Sequence, residues 1–149
     1  MSEIITVNQT NNQAHFDYER SNVFIGFTNR FEVANFINLT GGALTYKAGT
    51  VVGRISATNK ITELKSAATD GSQMPIGILA TDITALAGSG TKDVTMCISG
   101  DVAEEKVILN GADVLTTVVT GKTLRDRIGA DTVGIILKLG RDLTNYDNQ

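Results

Sequence analysis

Ala48-Gly49-Thr50-Val51-Val52-Gly53-Arg54-Ile55, followed by Ala67-Ala68-Thr69-Asp70-Gly71-Ser72-Gln73-Met74-Pro75-Ile76-Gly77-Ile78-Leu79, is the stretch that decides the fold. Short β-branched runs alternate there with glycine and small polar residues. The runs are too short for helices and are bounded by turn residues, so they read as strands joined by tight connections. Thr69-Asp70-Gly71 is a turn signal in which glycine supplies a positive φ. Gly77, inside the last run, leaves room for a neighbouring backbone.

Working outward, more strands appear on both sides. Val23–Phe27 is a short apolar run. Phe31–Leu39 follows, with Phe31, Val33, Ile37 and Leu39 read onto one face and Asn35 interrupting it. Gly41-Gly42 turns the chain into Ala43–Tyr46, and Lys47-Ala48-Gly49 turns it into Val51–Ser56. Asn59-Lys60 then makes a hairpin with Ile61–Lys65. Beyond Ile76–Thr81, an Ala87-Gly88-Ser89-Gly90 loop leads to Asp93–Ser99, where Val94, Met96 and Ile98 point one way and Asp93, Thr95 and Cys97 the other. Val102–Leu109 and Val114–Val119 continue the series. Strands spaced at about ten residues predict a barrel or sandwich.

The end of the chain changes character. Leu124 and Ile128 stand at i, i+4 and Gly129 follows, which predicts a short helix stopped by glycine. Thr132–Leu139 then alternates as a closing strand, with Val133, Ile135, Leu137 and Leu139 on one face. The expected organisation is a polar arm at 1–22, a β domain at 23–140 and a polar tail at 141–149. The arm is rich in amides and cannot bury enough surface to offset its ordering entropy, so it is expected to be mobile alone. Its one β-prone patch is Ile4-Ile5-Thr6-Val7.

Composition limits the function classes. The 149 residues suit one domain, and 42% of them are hydrophobic, enough for a packed core. Thirteen basic and 16 acidic residues give a net charge of −3 without a basic stripe, which argues against direct nucleic-acid binding. No apolar run approaches the roughly 18 residues of a membrane span. Met1–Val7 lacks the features of a secretory signal, so synthesis in a cytoplasm is expected. One Cys (Cys97) and one His (His15) exclude an internal disulfide and a structural zinc site.

No reaction centre is visible. Gly121-Lys122-Thr123 lacks the earlier glycine of a phosphate loop, since position 116 is Thr. Glu104-Glu105, read as strand neighbours, point to opposite faces. Asp70, Asp82, Asp93 and Asp101 lack calcium-loop spacing. Cys97 reads as a small buried hydrophobe. Asn8-Gln9-Thr10 and Asn38-Leu39-Thr40 match the glycosylation pattern, but no secretion signal accompanies them. No catalytic residue, cofactor or metal site is expected.

Several of these segments resemble the head-decoration proteins of tailed bacteriophages, the lambda protein D family. Ala48–Ile55 is similar to that family's "AGTVLG" strand, Ala67–Gln73 to its "AATDGS" loop and Pro75–Leu79 to its "AVGIL" strand. Ile98–Ala103 resembles its "VRGAEV" strand, and Leu124–Ile128 with Gly134–Leu137 its closing helix and "GIIL" end. Together they span residues 43–138 in order. Two departures are a longer lead-in at 23–42 and an apparent extra strand at 110–121 in place of a Pro-containing linker. The resemblance implies a mainly β, β-tulip-like domain that trimerises on the outer surface of the expanded capsid and braces it. It also implies that the N-terminal arm pairs with the major capsid protein and that the virion exterior is where the protein acts; on the residues' own pattern, Ile4, Ile5, Thr6 and Val7 are expected to add there as a strand. Three other readings fit the β-rich pattern: a tail or fibre domain, a small-ligand-binding barrel and a trimeric dUTPase. The last needs a glycine-rich phosphate-binding tail that Arg141–Tyr146 does not offer.

Overall fold

The computed structural model describes residues 23–25 and 28–139. Their strands are β1 (Arg30–Ile37), β2 (Leu44–Tyr46), β3 (Val51–Arg54), β4 (Ile61–Glu63), β5 (Pro75–Leu79), β6 (Ile83–Leu86), β7 (Thr91–Ala103), β8 (Val118–Val119), β9 (Lys122–Thr123) and β10 (Gly134–Lys138). A 3-10 turn occupies Glu104–Lys106, and one helix, α1, runs Leu124–Asp131. The domain is mainly β, as the sequence predicts.

Strands β1-β4-β3-β5-β7 form one sheet, and β7 pairs back onto β1, which closes a five-stranded barrel. The expected β3–β4 hairpin is present, with Val52 opposite Glu63. Closure uses a parallel contact, Phe36 beside Ile61, and a long antiparallel one from Arg30–Ser99 to Ile37–Thr91. At 13 residues, β7 serves three partners. One edge carries β1; the other carries β5 at Met96–Cys97 and then β10, in parallel, at Ser99–Ala103.

Asp93–Ser99 alternates as the sequence predicts, and the structure adds that this alternation separates two cores. Val94, Met96 and Ile98 join Phe36, Tyr46, Val52, Ile61, Leu79 and Ile83 inside the barrel. Cys97 faces outward into a second core with Val51, Leu64, Ile78, Val102, Val119, Leu124, Ile128 and Ile135, beneath α1. The β3–β5–β7 wall is therefore apolar on both faces. That explains the paired Val51-Val52 and the unbroken Ile78-Leu79, which a half-solvated strand would not carry. Gly77 fits as expected, since a Cβ there would lie 2.8 Å from the Cys97 carbonyl oxygen. Gly71 takes its turn at φ +104°.

Six sequence expectations are corrected. In β1 the inward residues are Ala34 and Phe36, whereas Val33 is 72% exposed. Apolar residues of both parities occur in β1, and the interior takes the large Phe36 ring. The Val102–Leu109 strand ends at Ala103, where Glu104–Lys106 tighten into a 3-10 turn closed by Val107 N–H on the Glu104 carbonyl. Within Val114–Val119 only Val118–Val119 is strand, because Thr117 folds back on Val114: its N–H donates to the Val114 carbonyl and its hydroxyl accepts from Val114 N–H. The helix passes through Gly129 to Asp131; Thr132 ends it, its hydroxyl donating to the Ile128 carbonyl and accepting from Ile135 N–H. Strand β6, which pairs with β2, lies where the sequence reading left a connection. The expected Val23–Phe27 strand shows an isolated bridge between Phe24 and Val102, and residues 26 and 27 lie outside the described part.

A buried amide ties the top of the barrel together. Asn38 is fully buried and donates to the carbonyls of Gly42 (2.9 Å), Leu86 (2.9 Å) and Ala87 (3.2 Å). Its oxygen accepts from Thr40 N–H (2.9 Å), the Thr40 hydroxyl (2.7 Å) and the Tyr46 hydroxyl (2.9 Å). Burial, with Glu63 adding to it, pushes the Tyr46 phenol from 10.0 up to about 12. The unfolded chain therefore loses this proton first as pH rises. Stability is expected to fall by about 2–3 kcal/mol between pH 10 and about 12. Chemical denaturation across that window checks it, and Tyr46→Phe should flatten the profile.

Candidate functional site

The predicted capsid-contact residues Ile4, Ile5, Thr6 and Val7 lie outside the described residues, as does His15. The described part fixes where their segment joins the domain. The Val23 carbonyl accepts from Ala103 N–H (2.8 Å), and Ile25 N–H donates to the Asp101 carbonyl (3.0 Å). Residues 23–25 thus lie along one edge of the far end of β7. Across that same stretch, Ile136, Leu137 and Lys138 of β10 pair with Asp101, Val102 and Ala103. Val23 and Lys138 therefore both lie beside Ala103, at one pole of the domain. Ion pairs mark it: Lys138 with Asp101 (2.8 Å), and Arg125 Nε with Glu104 (2.9 Å).

Beside this pole, α1 and β10 border an open groove of about 550 Å³. Its floor is Gly134–Leu137, and its helical wall includes Arg125, Gly129 and Ala130. Among the described residues β10 has a strand partner only on its β7 side. In a parallel ladder, alternate residues turn their backbone groups to opposite edges. The Thr132 hydroxyl accepting from Ile135 N–H (3.0 Å) shows that Ile135 is turned to the outer edge, and Leu137 shares its phase. The Ile135 carbonyl faces α1, about 4.0 Å from where a Cβ on Gly129 would stand. The wall itself is held by the buried Arg127, which donates to the carbonyls of Val119 (2.7 Å) and Thr120 (2.8 Å) and to Asp131 (3.0 Å). Sequence reading missed Arg127 and this groove. The available signal was an arginine between Leu124 and Ile128, on the helix face that turns inward.

The other singled-out residues serve the scaffold. Glu104 and Glu105 sit in the 3-10 turn, and Glu104 is spent on Arg125. Asp70 accepts from Ser72 N–H (3.0 Å) and hydroxyl (2.6 Å), which holds its carboxyl below the usual range. Asp82, held low chiefly by Ala48 N–H, also meets Lys47. Asp93 accepts from Asn35, and Asp101 pairs with Lys138. Among the described residues no cluster of three His, Cys, Asp or Glu could hold a metal ion. Gly121-Lys122-Thr123 turns the β8–β9 hairpin and caps α1, Thr123 accepting from Asp126 N–H (3.2 Å). Burial raises the Cys97 thiol. Asn38 of the apparent glycosylation pattern is locked inside the protein. Side chains fill the barrel, with Phe36, Ile61, Leu79 and Ile83 fully buried, so a small molecule would have to displace them. No helix of the described residues is long and apolar enough to cross a membrane.

Comparison with known proteins agrees with this architecture. The family model described as bacteriophage lambda head decoration protein D matches residues 24–122, from the bridge at Phe24 to the first residue of β9. Helix α1 and strand β10, which border the groove, follow the matched part. No curated protein matches the chain. Since the family match covers well over half of the sequence and takes in all five barrel strands, this chain belongs to the family of the bacteriophage lambda head decoration protein D.

Proposed function

We propose that this protein is a structural, non-enzymatic virion component, which binds the outer surface of the expanded phage head as a homotrimer and stabilises it. The observation that carries this is the family match over residues 24–122, laid on a rigid closed barrel. Its partner is the major capsid protein. Residues 1–22 act as an arm, and Ile4–Val7 add as a strand to an exposed sheet edge of a capsid subunit, where main-chain bonds supply affinity without a carved pocket. Each such bond contributes about 0.5–1.5 kcal/mol net, so one arm alone binds weakly. Three arms on one rigid body raise avidity by about 10²–10⁴. The protein is made in the host cytoplasm and comes to rest on the capsid exterior.

Mixing the purified protein with expanded heads, then pelleting and imaging them, tests the reading. The full chain is expected to co-sediment at threefold positions. Binding only to tails or fibres would replace head decoration with the rival virion role. Deleting residues 1–20 should leave a folded trimer that no longer pellets with heads; undiminished decoration by that truncation would refute the arm.

A further inference from the structure

We propose that Asn110-Gly111 is a self-modifying site: the folded protein converts Asn110, through a cyclic imide, into a mixture of aspartate and isoaspartate. The inference does not depend on the head-decoration reading. This is the one Asn-Gly pair in the sequence. Imide formation needs the following backbone nitrogen to swing onto the amide carbon, which a side chain on the next residue hinders and glycine permits. Asn29, Asn35, Asn38 and Asn59 are instead followed by Arg30, Phe36, Leu39 and Lys60. The fold leaves the pair unrestrained. It lies in a surface turn held by Asp113 N–H on the Asn110 carbonyl (3.0 Å), with Gly111 exposed and at φ +56°. Among the described residues no hydrogen bond engages the Asn110 side chain or the Gly111 N–H. A Cβ on Gly111 would meet nothing within 4 Å, so the backbone has room to turn.

The other dipeptide open to this cyclisation, Asp70-Gly71, is held shut by its contacts. Gly71 N–H donates to Gln73 Oε1 (2.9 Å), and the Asp70 carboxylate accepts from Ser72 N–H (3.0 Å) and hydroxyl (2.6 Å). A Cβ on Gly71 would lie 2.7 Å from the Arg54 carbonyl oxygen, so the backbone there is packed as well. At Asn110 water is the one co-reactant. Gly111 N gives its proton to solvent and bonds Asn110 Cγ, and the Cγ–Nδ2 bond breaks to release ammonia. Water then opens the imide. Attack at Cγ leaves aspartate, and attack at the main-chain carbonyl leaves isoaspartate, with one more carbon in the backbone. One water is taken up, one ammonia leaves, and nothing is oxidised or reduced. Either product adds a negative charge to the cleft of about 200 Å³ that Asn110 lines with Leu44, Lys47 and Glu63. Old copies of the chain thereby differ from new ones in charge.

The test ages the full, folded chain in mildly alkaline buffer, beside a sample unfolded in guanidinium chloride. Peptide mass mapping reads the conversion at each site, and labelling by an isoaspartyl methyltransferase reads the isomerised share. In the folded protein, conversion at Asn110 is expected to be about tenfold or more faster than at Asn29, Asn35, Asn38 or Asn59. Folding should slow isomerisation at Asp70-Gly71 by about tenfold or more relative to the unfolded chain, and conversion at Asn110 by much less. Asn110→Gln should remove the label from the turn and leave the melting temperature unchanged. An Asn110 that stays intact in the folded protein, or one that folding protects as strongly as Asp70, overturns the site. So does a label at the turn that survives Asn110→Gln. None of these results bears on head binding, so the decoration reading is judged separately.

Discussion

Asn38→Asp is expected to remove about 3–5 kcal/mol of stability at neutral pH, although it exchanges groups of nearly equal size. The amide nitrogen faces three carbonyls, those of Gly42, Leu86 and Ala87. A carboxylate cannot donate to them, and it would bury a negative charge among oxygen atoms. The amide orientation is fixed by its surroundings, because Thr40 N–H and the Tyr46 hydroxyl need an acceptor on the opposite side. Burial raises the pKa of the introduced carboxyl above its unfolded value of about 3.9. The penalty is thus full above the folded pKa and shrinks as pH falls toward the unfolded one. Urea denaturation at several pH values measures this. A loss that stays constant from neutral pH down to the folding limit would show that the carboxyl is not buried as described.

Phe36→Ala should cost about 3–5 kcal/mol, through lost transfer energy and the cavity left behind. Phe36 is fully buried and its ring meets Tyr46 with centroids 4.7 Å apart. It also sits opposite Ile61 at the parallel contact that closes the barrel, so neighbours cannot easily collapse into the space. Val33→Ala, on the same strand, should change stability by no more than about 0.5 kcal/mol. Melting curves of the two variants decide the phase of β1, and a larger loss at Val33 than at Phe36 would reverse it.

This pair also shows where sequence reading succeeds and where it stops. Asp93–Ser99 was legible because its two parities differ chemically: Val94, Met96 and Ile98 fill the barrel, while of the other parity only Cys97 is buried, in the second core. The 51–63 hairpin, the Gly71 turn and the close approach at Gly77 were legible because glycine and short polar runs have few backbone options. β1 misled because both of its parities hold apolar residues, and only the closed barrel chooses between them. β6 was invisible because Ala85 takes φ 49°, which breaks the alternation that would reveal a strand. The end of α1 was misplaced because Thr132, through its own side chain, does what glycine was expected to do. The arm patch Ile4–Val7 was read from local composition alone. The groove could not be read that way, since it exists only where Gly129 and the β10 edge approach in three dimensions.

The length of β7 has a consequence for synthesis. Five of the other elements, β1, β3, β4, β5 and the closing β10, meet directly or through one another on that strand, yet it is made after all of the first six. A chain emerging from the ribosome therefore holds only local hairpins until Ala103 is translated, and its slowest step is the long-range joining of β1 to β7. Fragments interrupted before that point lack the strand on which β1 and β5 close, so they have no complete barrel.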